Sequence, residues 1–142
     1  MQITSQEQYV EFGVGDEDYA IKISEIQEII RIQDMTEIPN SRPYVRGVIN
    51  LRGRIVPIIS LRKLFSLHDA PESKSTRIVV VNHQEESIGI IVDRVNKVTM
   101  FADIQPPPDR IGGISGDYFV GIGITPMGLV GILKLDEVLL RN

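Results

Sequence analysis

The chain has 142 residues, of which 42% are hydrophobic and 24% are charged, a composition typical of one folded domain. It contains no cysteine, which excludes disulfides and thiolate metal sites, and no tryptophan. No apolar run approaches the roughly 20 residues that cross a bilayer, and the N-terminus lacks the basic and apolar segments of a secretory signal. The sequence therefore predicts a cytoplasmic protein.

The predicted elements of the first half follow from short alternating runs and turn residues. In chain order they are a strand at Tyr9–Val14, a turn at Gly15-Asp16-Glu17-Asp18, a strand at Tyr19–Ile23, a single helical turn through Glu28 capped by Ser24, an extended stretch at Ile29–Ile32, the central hairpin described next, a short helix at Ser60–Phe65 and a polar linker at His68–Thr76.

The central β-hairpin is the clearest of these predictions. Its strands are Gly47–Leu51 and Ile55–Ile59, and its turn is Leu51-Arg52-Gly53-Arg54. Gly53 readily takes a positive φ, which a type II or type I′ turn requires. Pro57 lacks an amide donor, so it predicts an edge strand or a bulge in the second strand.

The basic residues are concentrated around this hairpin. The chain carries a net charge of −4, yet the stretch from Ile38 to His68 has six basic residues and no acidic one. The six are Arg42, Arg46, Arg52, Arg54, Arg62 and Lys63. A local cationic face on an acidic protein indicates one specific docking surface, although a nucleic-acid-binding surface remains an alternative.

The second half repeats the pattern of the first. It begins with strands at Arg77–Asn82 and Ile88–Val92 around a turn at Gln84–Ser87. Residues 9–29 align without gaps on 78–98, and residues 44–65 align without gaps on 118–139. The second copy has five extra residues in the loop between these blocks, and the chain closes with a short predicted helix in LKLDEVLLRN. Identities are few, so a chance alignment of two strand-turn-strand segments stays open.

The repeat predicts a mainly β fold with a few short helices. A unit of about 60 residues buries too little apolar surface to be stable alone, so the copies should pack together. Each copy has about five short strands, and closing them into a small barrel would remove exposed edges. We therefore expect one barrel-forming repeat at about 9–67 and a second at about 77–140.

No catalytic constellation is recognisable. His68 and His83 are predicted to be solvated loop residues, and neither has metal-ligand spacing. The glycine-rich run Gly121–Gly128 lacks the third glycine of a dinucleotide fingerprint and the lysine of a P-loop, so it is better explained as a turn between strands. We therefore expect no catalytic residues, no metal and no cofactor, with a hydrolase of unrecognised site as a weak alternative.

One motif resembles a known family. The run Pro43-x-x-x-Gly47-x-x-Asn50-Leu51-Arg52-Gly53-x-Ile55-Val56-Pro57-Ile58 looks like the signature of CheW, the bacterial chemotaxis coupling proteins. The segments Asp18-Tyr19-Ala20-Ile21 and Ile26-Gln27-Glu28-Ile29 are similar to its upstream pattern. The likeness covers about the whole chain, 1–142, as a single domain. It departs at Ser60, where the family often has Asp.

The resemblance implies two small SH3-like five-stranded β-barrels packed side by side and a non-enzymatic adaptor role. The implied partners are the regulatory domain of the chemotaxis histidine kinase CheA and the cytoplasmic tip of a methyl-accepting chemoreceptor, with no nucleic acid and no direct membrane insertion. The implied partner-binding residues are Ile26, Glu28, Gly47, Asn50, Arg52, Gly53 and Arg54. Ile26 would supply apolar area, with burial in the core as its alternative, and Glu28 would pair with a partner cation. Arg52 would hold an acidic or carbonyl group, and Gly47 would permit close approach.

Within the family, a CheV-like coupling module is the alternative. The end of the chain at Asn142, directly after the second copy, favours a stand-alone coupling protein that receptors recruit to the inner face of the membrane.

Overall fold

The computed structural model describes residues 7–68 and 70–139. Within them the strands are β1 (Tyr9–Val14), β2 (Glu17–Lys22), β3 (Ile26–Arg31), β4 (Val45–Leu51), β5 (Arg54–Ser60), β6 (Arg77–His83), β7 (Glu86–Val92), β8 (Arg94–Thr99), β9 (Asp103–Gln105), β10 (Arg110–Ile111), β11 (Ile114–Ser115), β12 (Phe119–Thr125) and β13 (Gly128–Leu133). The helices are α1 (Leu61–Leu64) and α2 (Leu135–Leu139), with 3₁₀ turns at Ile23–Glu25 and Gly116–Tyr118. The predicted mainly β fold with a few short helices is confirmed.

Two large sheets contain most of the strands. Sheet 1 has the order β8-β1-β2-β13-β12-β9, and sheet 2 has the order β3-β6-β7-β5-β4. The hairpin β10–β11 stands apart from both. Neighbouring strands are antiparallel except at β2–β13 and β5–β7, which are parallel. Each parallel pair joins a strand of the first half to a strand of the second half.

The two sheets therefore do not follow the halves of the sequence. Sheet 1 combines β1 and β2 with β8, β9, β12 and β13, while sheet 2 combines β3, β4 and β5 with β6 and β7. The ranges 9–67 and 77–140 consequently do not each form a sheet of their own. Both halves contribute strands to both sheets, so neither half can complete its backbone hydrogen bonds alone.

The elements recur along the chain at two constant spacings. β1 begins at Tyr9 and the aligned part of β6 begins at residue 78, a spacing of 69, and β4 (45–51) precedes β12 (119–125) by 74. Irregularities recur as well. The register of β3 skips Gln27 and that of β8 skips Asn96, while β4 skips Arg46 and β12 skips Val120. Four β-bulges at equivalent positions indicate one supersecondary unit used twice.

The largest core cluster lies between the sheets and takes residues from both halves. It includes Phe12, Tyr19, Phe65 and Phe119, whose rings pack with centroid distances of 5.7 to 6.3 Å. Burial, together with the smaller effect of the charge of Glu17, raises the pKa of Tyr19 to about 12. Two smaller core clusters each belong to one sheet. The first includes Ile49 and Val80 of sheet 2, and the second includes Tyr9 and Ile132 of sheet 1.

Two local predictions are wrong. The 3₁₀ turn Ile23–Glu25 has Lys22 at its cap position and no side-chain cap, so Ser24 does not cap it, and the chain is already extended from Ile26. Pro57 lies in β5, an inner strand of sheet 2 and not an edge strand. The strand tolerates it because Val48, which lies opposite, exchanges both of its backbone hydrogen bonds with Thr36, at 2.9 Å each.

Candidate functional site

The tip of the β4–β5 hairpin is a two-residue turn. Arg52 and Gly53 have φ angles of 52° and 85°, the positive values that a type I′ turn needs at both central positions. The Gly53 amide donates a 2.8 Å hydrogen bond to Oδ1 of Asn50. Asn50 therefore holds the turn, a role within the chain that the predicted partner contact did not include. Arg54 follows on the second strand and is exposed.

Arg52 and Glu28 form an ion pair with each other. Nη2 of Arg52 donates to Oε2 of Glu28, with the Arg52 side chain 67% exposed and that of Glu28 28% exposed. The resemblance assigned each of them to a separate partner group, and the structure adds that they also bond each other within the chain. Because Arg52 stays largely in solvent, its guanidinium still has donors to offer.

This ion pair also shows that sheet 2 is strongly curled. Glu28 belongs to β3 and Arg52 directly follows β4, and these are the two outer strands of the five. In a flat sheet the outer strands would lie about 19 Å apart, beyond the reach of two side chains. A hydrogen bond from Ser87 on β7 to Gln27 at the β3 bulge, 2.8 Å long, holds the same end of the sheet.

Ile26 is only half-exposed. It packs against the core cluster between the sheets, which agrees with the alternative that it is a core residue. A more exposed apolar residue near the tip was not predicted from the sequence. Ile55 is 65% exposed and lies directly opposite Asn50 in the hairpin. The sequence shows that Ile55 follows Arg54. The alternation of apolar residues along the strand, however, predicts neither that its side chain is exposed nor which face of the sheet it lies on.

Gly47 is buried, and its close neighbour belongs to its own chain. Its φ is 146°, and a Cβ placed there would lie 2.5 Å from the carbonyl oxygen of Thr36. Gly121, at the equivalent position of the second half, would bring a Cβ to 2.9 Å from the carbonyl oxygen of Gln105. The glycine therefore lets the connecting segment cross β4. Replacing Gly47 by Trp would damage the fold, so such a variant cannot test docking.

The six basic residues do not form one face. Arg52 and Arg54 are at the tip, whereas Arg42, Arg46 and Lys63 line a pocket beyond the opposite end of β4. Arg62 forms an ion pair with Asp93, with 2.5 Å between Nη2 and Oδ2 and the Arg62 side chain only 20% exposed. The predicted single cationic surface is thus wrong, because strand geometry and one internal ion pair divide it.

Asp93 joins the two halves. Its carboxylate accepts hydrogen bonds from Arg62 of α1 and from the amide of Gly15, the latter at 2.8 Å. Burial alone would raise the pKa of Asp93, but these hydrogen bonds and the charges of Arg62 and Arg94 hold it below its usual value.

The histidines differ from each other in the structure. His68 is exposed as predicted, but His83 is 91% buried because β6 continues through it and the turn begins at Gln84. Its Nδ1 lies 3.6 Å from Oδ1 of Asp136. Burial raises the pKa of nearby Glu25, and the charge of Asp136 adds to this while Lys22 opposes it. The described residues contain no group of three or more His, Cys, Asp or Glu side chains placed to hold a metal ion.

The glycine-rich run of the second half is a turn between strands, β12 and β13, with Pro126 and Met127 between them. Among the described residues, none of the helices has the length and apolar character that crossing a bilayer requires.

Fold and tip together define a mainly β protein of two interlocked sheets, built from a repeated unit and displaying a charged hairpin turn. A sequence model of the CheW-like domain matches residues 8–141, and this chain belongs to that family. The chemotaxis protein CheW of Helicobacter pylori is 37% identical over 137 residues, covering 95% of this chain and 82% of that protein. The CheW of Treponema pallidum is 38% identical over 123 residues, covering 82% and 72%.

A solved structure agrees with this assignment. The scaffolding protein TtCheW from Thermoanaerobacter tengcongensis superposes with a TM-score of 0.85 at 32% sequence identity. The match covers 94% of this chain and 88% of that one.

Proposed function

We propose that the chain is a non-enzymatic adaptor of bacterial chemotaxis. In this role it links the cytoplasmic tip of a methyl-accepting chemoreceptor to the regulatory domain of the histidine kinase CheA, and supports receptor control of kinase activity. It acts in the cytoplasm without a cofactor and reaches the inner face of the membrane through receptors. The family match over residues 8–141 is the observation that carries this proposal.

The hairpin tip supports a docking role. Arg52 is held by a type I′ turn and by Glu28 while its side chain remains 67% exposed, so its position is set before a partner arrives. A preorganised side chain loses less entropy on binding. Ile55 adds exposed apolar area beside it, and arginine is enriched at the centres of protein interfaces.

Co-elution tests the adaptor role directly. The chain would be mixed with a CheA regulatory domain and a receptor signalling fragment, separately and together, and the mixtures resolved by size-exclusion chromatography. We expect a ternary peak and receptor-dependent stimulation of kinase autophosphorylation. Failure to co-elute with either protein at micromolar concentrations would refute the proposal.

The ion pair allows a sharper test of the tip. Arg52→Glu should keep the circular dichroism spectrum, because the tip is exposed, and should weaken receptor coupling. Arg31→Glu, on the exposed face of β3, is the matched charge reversal and should leave coupling unchanged. The double variant Glu28→Arg/Arg52→Glu restores an ion pair of inverted direction. We expect it to remain defective, since a partner group that meets Arg52 would now meet an acid; recovery to normal coupling would contradict a direct contact.

A further inference from the structure

A basic pocket lies beyond the start of β4, away from the hairpin tip. Its cavity has a volume of about 300 Å³ and is lined by Arg42, Arg46 and Lys63 together with Glu37 and Ile38. Because β4 rises about 3.3 Å per residue over seven residues, the pocket and the tip are separated by about 20 Å. A partner bound at the tip therefore leaves the pocket accessible.

The bulge in β4 places Arg46 at this pocket. Val45 and Gly47 pair with consecutive residues of β5, so Arg46 between them is the extra residue of the bulge. A bulge re-aims the side chain of its extra residue. Nη2 of Arg46 lies 3.4 Å from Oε2 of Glu72, and both side chains are about 40% exposed, at 38% and 41%. Glu72 of the linker thus pairs with Arg46 through one long, solvent-exposed contact, which contributes little free energy.

Arg42 is the second exposed cation. Within 7–68 and 70–139 its side chain makes no hydrogen bond or ion pair, although its backbone carbonyl accepts from the Val45 amide at 2.9 Å. The pocket thus has one guanidinium without an acidic partner in the described chain and one that is weakly paired. Arginine is the side chain best suited to forked hydrogen bonds with a carboxylate.

The second half contains the same pocket with different charges. A cavity of about 370 Å³ is lined by Gly116, Asp117, Val120 and Glu137 among others. At the repeat spacing of 74 residues these positions correspond to Arg42, Pro43, Arg46 and Lys63. The backbone of the unit therefore builds this cavity without any arginine. The equivalent cavity, whose lining also includes Lys134, shows that the unit does not need cations at these three positions to form it.

From this geometry we infer that the basic pocket binds an acidic peptide segment of a partner protein, displacing Glu72 from Arg46. Ile38 is 42% exposed at its edge and offers an apolar contact beside the cations, as a peptide with mixed acidic and aliphatic side chains requires. Nucleic acid fits less well, because the aromatic residue of this segment, Tyr44, packs against the core instead of presenting a stacking face. This contact is additional to the receptor–kinase function proposed above and does not depend on it.

The test uses a short synthetic peptide of glutamate and leucine, and the same peptide with every glutamate replaced by glutamine. Binding to the full chain would be followed by fluorescence anisotropy at about 50 mM and about 500 mM salt, with a circular dichroism spectrum of each variant. We expect saturable binding of the acidic peptide that weakens with salt and is absent for the glutamine peptide. Equal binding of both peptides, or no binding of either, would overturn the inference.

Variants of opposite expected sign make the assignment specific. Arg42→Gln and Arg46→Gln should each weaken binding about threefold to fivefold, the upper part of the range for exposed ion pairs. Glu72→Gln should strengthen it about twofold to fivefold because it removes the internal competitor. Arg31→Gln is the matched control for loss of a positive charge, and Asp117→Asn is the control in the equivalent pocket. The proposal would be contradicted if neither the single variant Glu72→Gln nor the single variant Arg46→Gln changed the affinity for the peptide. Tenfold tighter binding of single-stranded DNA than of the peptide would also contradict it.

Discussion

The two hairpin tips of the repeated unit occupy equivalent positions and present different chemistry. The first tip is Arg52-Gly53 in a left-handed turn, with Arg52 bonded to Glu28 across the curled sheet. The second tip is Pro126-Met127, and a proline cannot take the positive φ of a type I′ turn. There the side chain of Thr125 bonds the Met127 amide and the Gly128 carbonyl, and Met127 is 90% exposed.

This difference separates what the fold needs from what the surface offers. Both halves keep the bulges, the buried glycine after the second bulge and the strand exchange. Only one half keeps the charged tip and the basic pocket. The shared features are buried or hydrogen-bonded within the backbone, whereas this tip and this pocket consist of side chains in contact with solvent, where substitution has little effect on the free energy of unfolding.

The largest effect should come from the glycine that both halves share. Gly47→Ala combines an unfavourable positive φ with a clash against Thr36, so we expect it to lower the free energy of unfolding by about 2–4 kcal/mol. A Cβ at Gly121 would also meet side-chain and backbone atoms, but Gly121 does not have a positive φ, so Gly121→Ala should cost less. Urea denaturation measures both. Gly53→Ala, with φ of 85° and open space around it, is the control for strain alone and should cost about 1 kcal/mol. Equal losses in all three would mean that the crossing segment is not the constraint.

The next largest change in the free energy of unfolding is expected at Asp93, which joins the two halves. The equivalent position in the other half is Ser24, which carries no charge. Asp93→Asn should cost about 1–3 kcal/mol at neutral pH, because the hydrogen bonds from Arg62 become weaker when the acceptor is uncharged. The pKa of Asp93 is lower in the folded chain than in the unfolded one, so its stabilisation is complete above the unfolded pKa and disappears as the pH falls through the folded pKa.

Urea denaturation between about pH 6 and about pH 2.5 tests this dependence. The difference in free energy of unfolding between wild type and Asp93→Asn should shrink towards the acid end. A difference that stays constant with pH would show that the carboxylate charge is not responsible.

A smaller effect distinguishes the two helices. Oγ of Ser60 accepts a hydrogen bond from the Lys63 amide and caps α1, whereas Lys134 occupies the equivalent position before α2. Ser60→Ala should lower the free energy of unfolding by about 1 kcal/mol. Ser60→Asp should retain the cap and the stability, and thermal melting compares the two. A loss as large in Ser60→Asp as in Ser60→Ala would show that the cap is not the source.

The smallest effect is expected at the second tip. Met127→Ser removes an exposed side chain that the fold does not use, so the free energy of unfolding should change by less than about 0.5 kcal/mol. Thermal melting with Arg52→Ser as its counterpart at the first tip provides the comparison. A substantial loss for Met127→Ser would mean that this side chain packs on the protein after all.

Local structure was well predicted where neighbours in sequence decide it. The bounds of β1, the turn at Arg52-Gly53 and the helix after Ser60 depend on residues within a few positions. Ser60 also resolves the one departure from the family pattern, because its hydroxyl supplies a local cap. The family motif likewise lies in one continuous stretch. Predictions failed at the Ser24 cap, and where a distant segment intervenes, as at Pro57, whose opposite residue bonds Thr36, and at His83, which faces α2.

By itself, the sequence determined the mainly β class, the family and several strands and turns, including β1 and the central hairpin, because propensity and periodicity act over a few residues. It indicated the repeated unit, which the recurring bulges then established. The tertiary structure alone decided that strands exchange between the halves and that Glu28 meets Arg52. It also decided that Gly47 faces its own chain, and that six basic residues divide into a tip, a pocket and an internal ion pair. These outcomes depend on contacts between residues many positions apart, as with Gly15 and Asp93, whose meeting requires the whole chain to fold first.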